Sequence, residues 1–83
     1  YRDMSLDIPD TFLEAMADRF KMLSDPSRLR ILKALMSKER NVTAIVEETG
    51  LTQANVSKHL RLLSEADLVS RRKVGLNVFY SLA

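Results

Sequence analysis

Residues 41–66 constrain the fold more than any other stretch of the chain. Asn41 and Val42 open a helical period in which Val42, Ile45 and Val46 are the apolar positions, and Gly50 stops it as a left-handed C-terminal residue does. Leu51 is a single apolar plug. Thr52 can then cap a second period from Gln53 to about Ala66, with Val56, Leu60 and Leu63 in one narrow stripe. Helix, tight glycine turn, helix is the helix-turn-helix arrangement.

The rest of the chain supports that motif. Pro9-Asp10 reads as a helix start with Asp10 as the cap, and Phe12, Leu13, Met16, Ala17, Phe20 and Leu23 follow at helical spacing from Thr11 to Leu23. Ser24-Asp25-Pro26 interrupts it. Asp25 can cap a second helix and Pro26 suits its first position, where a missing N–H costs nothing. That helix runs to about Met36, with Leu29, Ile31, Leu32, Leu35 and Met36 apolar, and 37–40 reads as a connector. Beyond Leu68 the period changes. Residues 69–74 and 77–82 read as two strands around Gly75-Leu76, the second carrying Val78, Phe79 and Tyr80. A two-stranded hairpin is marginal alone and must pack on the helices. The expected fold is mainly α with a small β-hairpin wing: a winged helix-turn-helix forming one domain over 1–83, with the helix-turn-helix at about 42–66 and the wing at about 69–82.

Composition narrows the function. The chain has 83 residues, 46% of them hydrophobic and 29% charged, which is a globular composition with a modest core. There is no cysteine, which excludes thiolate metal sites and disulfides within these residues and fits a reducing, cytoplasmic setting. No apolar run approaches a membrane span. Net charge is only +2. The cations are nevertheless concentrated: Lys58, Arg61, Arg71, Arg72 and Lys73 face only Glu65 and Asp67 after position 52.

On a helical wheel Ala54, Lys58, Arg61 and Glu65 lie opposite the Val56–Leu60–Leu63 stripe, with Asn55 and Ser57 flanking them and Gln53 and His59 at its edges. The outer surface near the helix start is small, polar and positive. Such a surface fits a major groove: Gln and Asn pair with adenine edges, Lys and Arg reach guanine or phosphate, and Ser bonds either. Thr52, Gln53, Asn55, Ser57, Lys58, His59 and Arg61 are therefore the candidate DNA contacts of this helix. On the hairpin, Arg71 and Lys73 point together and Arg72 points away, and all three are candidates for phosphate or minor-groove contact. A lone histidine at the edge of a core stripe is also an ordinary packing or hydrogen-bonding residue. A metal site needs more ligands than one His and no Cys. Catalysis has no foothold, since no paired carboxylate in an apolar setting, Ser-His-acid order or glycine-rich phosphate loop is present. Asp3, Asp7, Asp10, Glu14 and Asp18 read as capping and a solvated helix face. No cofactor is expected. The competing class is a winged-helix module that binds protein, favoured by Leu62 on the flank of the outer face.

Leu23-Ser24-Asp25-Pro26-Ser27-Arg28-Leu29-Arg30-Ile31-Leu32, Gly50-Leu51-Thr52-Gln53, Val56-Ser57-Lys58-His59-Leu60 and Ala66-Asp67-Leu68-Val69, with Gly75 before Val78-Phe79-Tyr80, resemble the ArsR/SmtB family of bacterial winged-helix repressors over about 12–82. The resemblance implies homodimers that bind palindromic operator DNA and release it when an inducer binds. It implies DNA contacts at Gln53, Ser57, Lys58 and His59 and on the wing, and it places dimer contacts on the first helix, here Phe12, Met16 and Phe20. The inducer stays open. Where many metal-sensing members carry Cys-x-Cys, this chain has Asn41 and Thr43. The family's other site sits on a helix after the wing, whereas this sequence stops at Ala83, so the first helix is expected to show part of its apolar face. Leu76 stands where many relatives place Arg, which implies weaker minor-groove reading at the wing tip.

Overall fold

The computed structural model describes residues 7–83; Asp3 of the acidic series lies outside them. Four helices precede one hairpin: α1 (Asp10–Met22), α2 (Pro26–Leu35), α3 (Val42–Thr49), α4 (Gln53–Glu65), β1 (Val69–Val74) and β2 (Asn77–Leu82). The fold is a winged helix-turn-helix.

The caps explain where the elements begin. The Asp25 carboxylate accepts from the amides of Ser27 at 2.8 Å and Arg28 at 3.2 Å, with Pro26 in the first turn of α2. The Arg28 amide bond is the main reason its carboxyl titrates below the usual range. Asn41 Oδ1 accepts from Ala44 N at 2.8 Å, and Thr52 Oγ1 from Asn55 N at 3.2 Å. These bonds occupy amides that a helix start leaves unpaired. The start of α1 differs from expectation. Pro9 holds the capping position and makes no side-chain bond, while Asp10 is the first helical residue and acts only through its charge near the positive helix end.

The ends of α3 and α4 use left-handed residues, whereas α1 and α2 end at the right-handed Leu23 and Met36. Gly50 has φ +73° and donates its N–H to Val46 O at 2.9 Å. After α4 the left-handed position is Asp67, φ 59°, not a glycine. Leu68 N reaches Leu63 O at 2.9 Å and Asp67 N reaches Ser64 O at 3.0 Å, the paired bonds of a Schellman end. A Cβ added at Gly50 would touch nothing within 4 Å, so only the backbone opposes one there. Gly50→Ala is expected to cost about 1 kcal/mol, and Asp67→Gly to stabilise by about half that or more. Urea unfolding of the two variants checks the opposite signs.

Ile31, Leu35, Ile45, Val56, Leu60, Leu63 and Val69 form the core, with Leu51, Val42 and Val46 packed against it. The residue between two motif helices, Leu51, thus ties their turn to the body. In α2 the inner face is Ile31, Ala34 and Leu35, whereas Leu29 and Met36, read from the sequence as apolar helix positions, are exposed. No residue of α1 is buried. Its end packs against the core through Met22 and Met16 is half-buried, while Phe12, Leu13 and Phe20, with Ile8 just before the helix, are exposed, Phe20 by 65%.

β1 and β2 pair antiparallel in the register Val69↔Leu82, Arg71↔Tyr80, Arg72↔Phe79 and Lys73↔Val78. The two-residue turn has Gly75, φ 61°, in its first position, the pattern favoured where strand twist must be matched. The stretch 37–40 is more than the expected connector. Arg40 exchanges both backbone bonds with Tyr80, at 3.0 and 2.8 Å, adding one rung of a third strand to the free edge of β2. Arg40 Nε also donates to Ala34 O at 2.6 Å, closing the end of α2.

Candidate nucleic-acid interface

α4 supplies the first half of the surface. Val56, Leu60 and Leu63 have no exposed area, so the aliphatic ridge is fully anchored. Thr52, Gln53, Ala54, Asn55, Ser57, Lys58 and Arg61 are exposed on the rest of the helix. Its outer surface thus presents two amides, hydroxyls, a methyl group and two cations. Arg61 Nη1 meets Glu65 at 3.2 Å, one turn on, with both side chains largely in solvent. Exposed pairs of this kind hold weakly, and a phosphate could displace the carboxylate. Lys58 has no ion-pair partner among the described residues. Thr52, expected as a contact, also spends its hydroxyl as an acceptor in the α4 cap.

His59 sits differently from the other six. It is only 7% exposed, and its Nδ1 accepts from Arg28 Nε at 3.3 Å. The ring lies against the body instead of on the outer surface, so only its other nitrogen remains for any outside contact. The same Arg28 donates through Nη1 to Met22 O at 3.3 Å. Arg28 was absent from the expected site, as nothing in local sequence links it to a residue on another helix.

The hairpin separates its three cations. Val69, Arg71 and Lys73 share the face that enters the core at Val69, and Arg71 and Lys73 are exposed beyond it with no ion-pair partner among the described residues. Arg72 lies on the other face, where Nε and Nη2 grip the Glu39 carboxylate at 2.9 and 2.6 Å and the guanidinium lies 5.6 Å from the Phe79 ring centre. Bidentate pairing and a ring face make a stiff contact. Arg72 is therefore engaged within the molecule, as a brace between the wing and the segment before α3.

That brace has a pH dependence with a fixed sign. The Arg72 hydrogen bonds hold the Glu39 carboxyl below its ordinary range. A depressed folded-state carboxyl contributes stability above its unfolded value, about 4.3, and loses it as pH falls through the folded value. The Arg72 side chain is mostly in solvent and that of Glu39 is about a third exposed, so screening keeps the effect on global unfolding small. Glu39→Gln is expected to speed hydrogen exchange of the wing amides near neutral pH. Equal exchange in variant and wild type at neutral pH would show that the pair does not brace the wing.

Among the described residues no group of three or more His, Asp or Glu side chains is placed to hold a metal ion, and no helix is long and apolar enough to cross a membrane.

Comparison with known proteins places this surface in context. Residues 25–71 match the family model described as bacterial regulatory protein, arsR family. The chain is 43% identical to the transcriptional repressor SmtB homolog of Synechocystis sp. over 84% of its own length and 53% of that protein's. It is 35% identical to the HTH-type transcriptional regulator KmtR of Mycobacterium tuberculosis over 99% of itself and 64% of KmtR. The chain thus spans between about half and two thirds of these relatives. Among solved structures, the homodimeric winged helix-turn-helix DNA-binding domain of Mb0332 from Mycobacterium bovis superposes with a TM-score of 0.85, at 32% identity, over 99% of this chain and 76% of that one.

Proposed function

Since the chain belongs to the ArsR family of bacterial regulatory proteins, we propose that it is a sequence-specific DNA-binding repressor of transcription, acting as a cytoplasmic homodimer. Residues 1–83 serve as one winged helix-turn-helix unit. The observation that carries this reading is α4, whose ridge is sealed in the core while Gln53, Asn55, Ser57, Lys58 and Arg61 are exposed. A helix held this way can lay its outer side chains on base edges without unfolding anything. Arg71 and Lys73 extend the positive surface along the wing and supply backbone contacts, which set affinity and its salt dependence but not sequence. The protein has no catalytic role in this reading.

The dimer follows from α1. A helix with no buried residue and with Phe12, Leu13 and Phe20 at least half exposed leaves apolar surface that water does not favour. A second copy covers it most economically, because the same face on both partners is self-complementary. Two α4 helices then read successive major grooves about 34 Å apart on a palindromic operator. An inducer releases the DNA by binding better to the dimer geometry that does not match this spacing.

Selection of duplexes from a randomised pool tests the function: a palindromic consensus is expected, bound with affinity that falls steeply with salt. Recovery of no consensus would refute it. For the dimer, Phe12→Ala with Phe20→Ala is expected to weaken self-association by about a hundredfold or more. Sedimentation equilibrium reads this directly, and an unchanged association constant would place the interface elsewhere.

A further inference from the structure

We propose that Arg28 is a positioning residue for α4, setting the roll of that helix through His59 and tying it to the end of α1. One guanidinium, carried by α2, donates through Nε to His59 Nδ1 on α4 and through Nη1 to the carbonyl oxygen of Met22, the last residue of α1, each at 3.3 Å. Three helices meet at one planar group. The inference rests on α4 being the DNA-reading helix and deepens that reading.

The physical need is directional. Val56, Leu60 and Leu63 hold α4 against the core, but aliphatic contacts have no preferred angle and tolerate small rotations by rotamer adjustment. A roll of about 20° moves atoms at about 6 Å from the helix axis by about 2 Å. That displacement is enough to break a hydrogen bond to a base edge. A hydrogen bond between two buried or half-buried groups does have a preferred angle, and His59 is the polar residue of the buried surface of α4 whose side chain has a partner, whereas the buried Ser64 Oγ has none. Its Nδ1 accepts from Arg28, so its ring proton sits on Nε2. The turn that carries Arg28 is fixed in its own right. Asp25 caps α2 by accepting from the Arg28 amide, and Pro26 stiffens the first turn.

The second arm gives the contact its meaning. Met22 O is an end carbonyl of α1, and α1 is the helix whose apolar face lies open. A shift of α1 in the dimer therefore pulls on the same guanidinium that orients α4. Arg28 transmits dimer geometry to the DNA-reading surface without touching DNA.

Two variants separate this role from simple charge. Arg28→Lys keeps the positive charge and loses the planar fork. Its affinity for a duplex enriched from a randomised pool is expected to fall about tenfold. Binding to the non-specific polymer poly(dI-dC), and the salt slope of that binding, should stay at wild-type values. His59→Asn keeps an acceptor near the Nδ1 position and should stay within about threefold of wild type, whereas His59→Leu should lose about tenfold. The chain has a single histidine, so nitrogen-15 spectra of its ring in the DNA-free protein report the link without ambiguity. Wild type should show one tautomer with the proton on Nε2, and Arg28→Lys should shift the Nδ1 signal. A wild type that enriches no duplex overturns the function and this inference together. With an enriched duplex in hand, an Arg28→Lys protein that binds it like wild type overturns the inference alone, as does His59→Asn losing as much as His59→Leu.

Discussion

Replacing Gln53, Lys58 and Arg71 together by alanine is expected to weaken operator binding by about a thousandfold or more, leaving a folded protein. The three act differently, and the parts can be read separately. Lys58 and Arg71 are exposed cations with no ion-pair partner among the described residues, so each releases about one counterion on meeting a phosphate. Their loss should weaken binding to every sequence and flatten the salt slope by about two. Gln53 stands at the first position of α4, where an amide can pair with an adenine edge worth about 1–3 kcal/mol of discrimination. Its loss should relax preference at one base-pair position and leave the slope alone. All three side chains are exposed, so thermal unfolding should shift little. A triple variant that still retards the operator in a gel would show that DNA is bound by another surface.

The second large effect is on stability. Leu60 has no exposed area and lies in the core with Ile31, Ile45, Val56 and Leu63. Leu60→Ala removes buried methyl groups and leaves a cavity, costing about 3 kcal/mol. A domain of this size holds only about 4–12 kcal/mol in total. The midpoint of thermal unfolding should therefore fall by roughly 15 °C. Operator binding should fall further than stability alone accounts for, because the ridge beneath the reading surface is what is lost. Leu76 is the matched control: it is 99% exposed at the wing tip, and Leu76→Ala should leave the midpoint where it is. A Leu60→Ala midpoint within a degree or two of wild type would mean that α4 is not anchored as described.

What the sequence made legible was local. Asp25 and Pro26, Asn41, Gly50 and Thr52 each act within one turn of their own position, so the boundaries of α2, α3 and α4 follow from them. The strand change after Leu68 and the glycine turn placed the wing at 69–74 and 77–82. The helical wheel assigned the sides of α4 correctly because its apolar stripe is narrow and has one register. Helix α1 has an apolar stripe too, and nothing in the periodicity shows that this chain's own core leaves it uncovered. The same holds for Leu29 and Met36: spacing marks them apolar, but only the position of α3 and α4 decides which side of α2 is inner.

The contacts that tune the candidate site were not legible, and the reason is physical. Arg28 and His59 are joined across two helices, and Glu39 grips Arg72 from before α3 to the wing. Side-chain pairing at that sequence separation depends on how the elements pack, and no local preference encodes it. Arg72 illustrates the consequence. Strand alternation correctly turned it away from Arg71 and Lys73, while its engagement with Glu39 and the Phe79 ring emerged only in three dimensions.

Protection of guanine N7 from dimethyl sulfate on an operator duplex probes the major groove alone and so asks directly whether α4 enters it. Two protected segments centred about one helical turn apart are expected, fading together when Gln53 and Lys58 are changed to alanine. N7 positions fully reactive on a saturated complex would contradict the assignment of α4 as the helix that reads DNA.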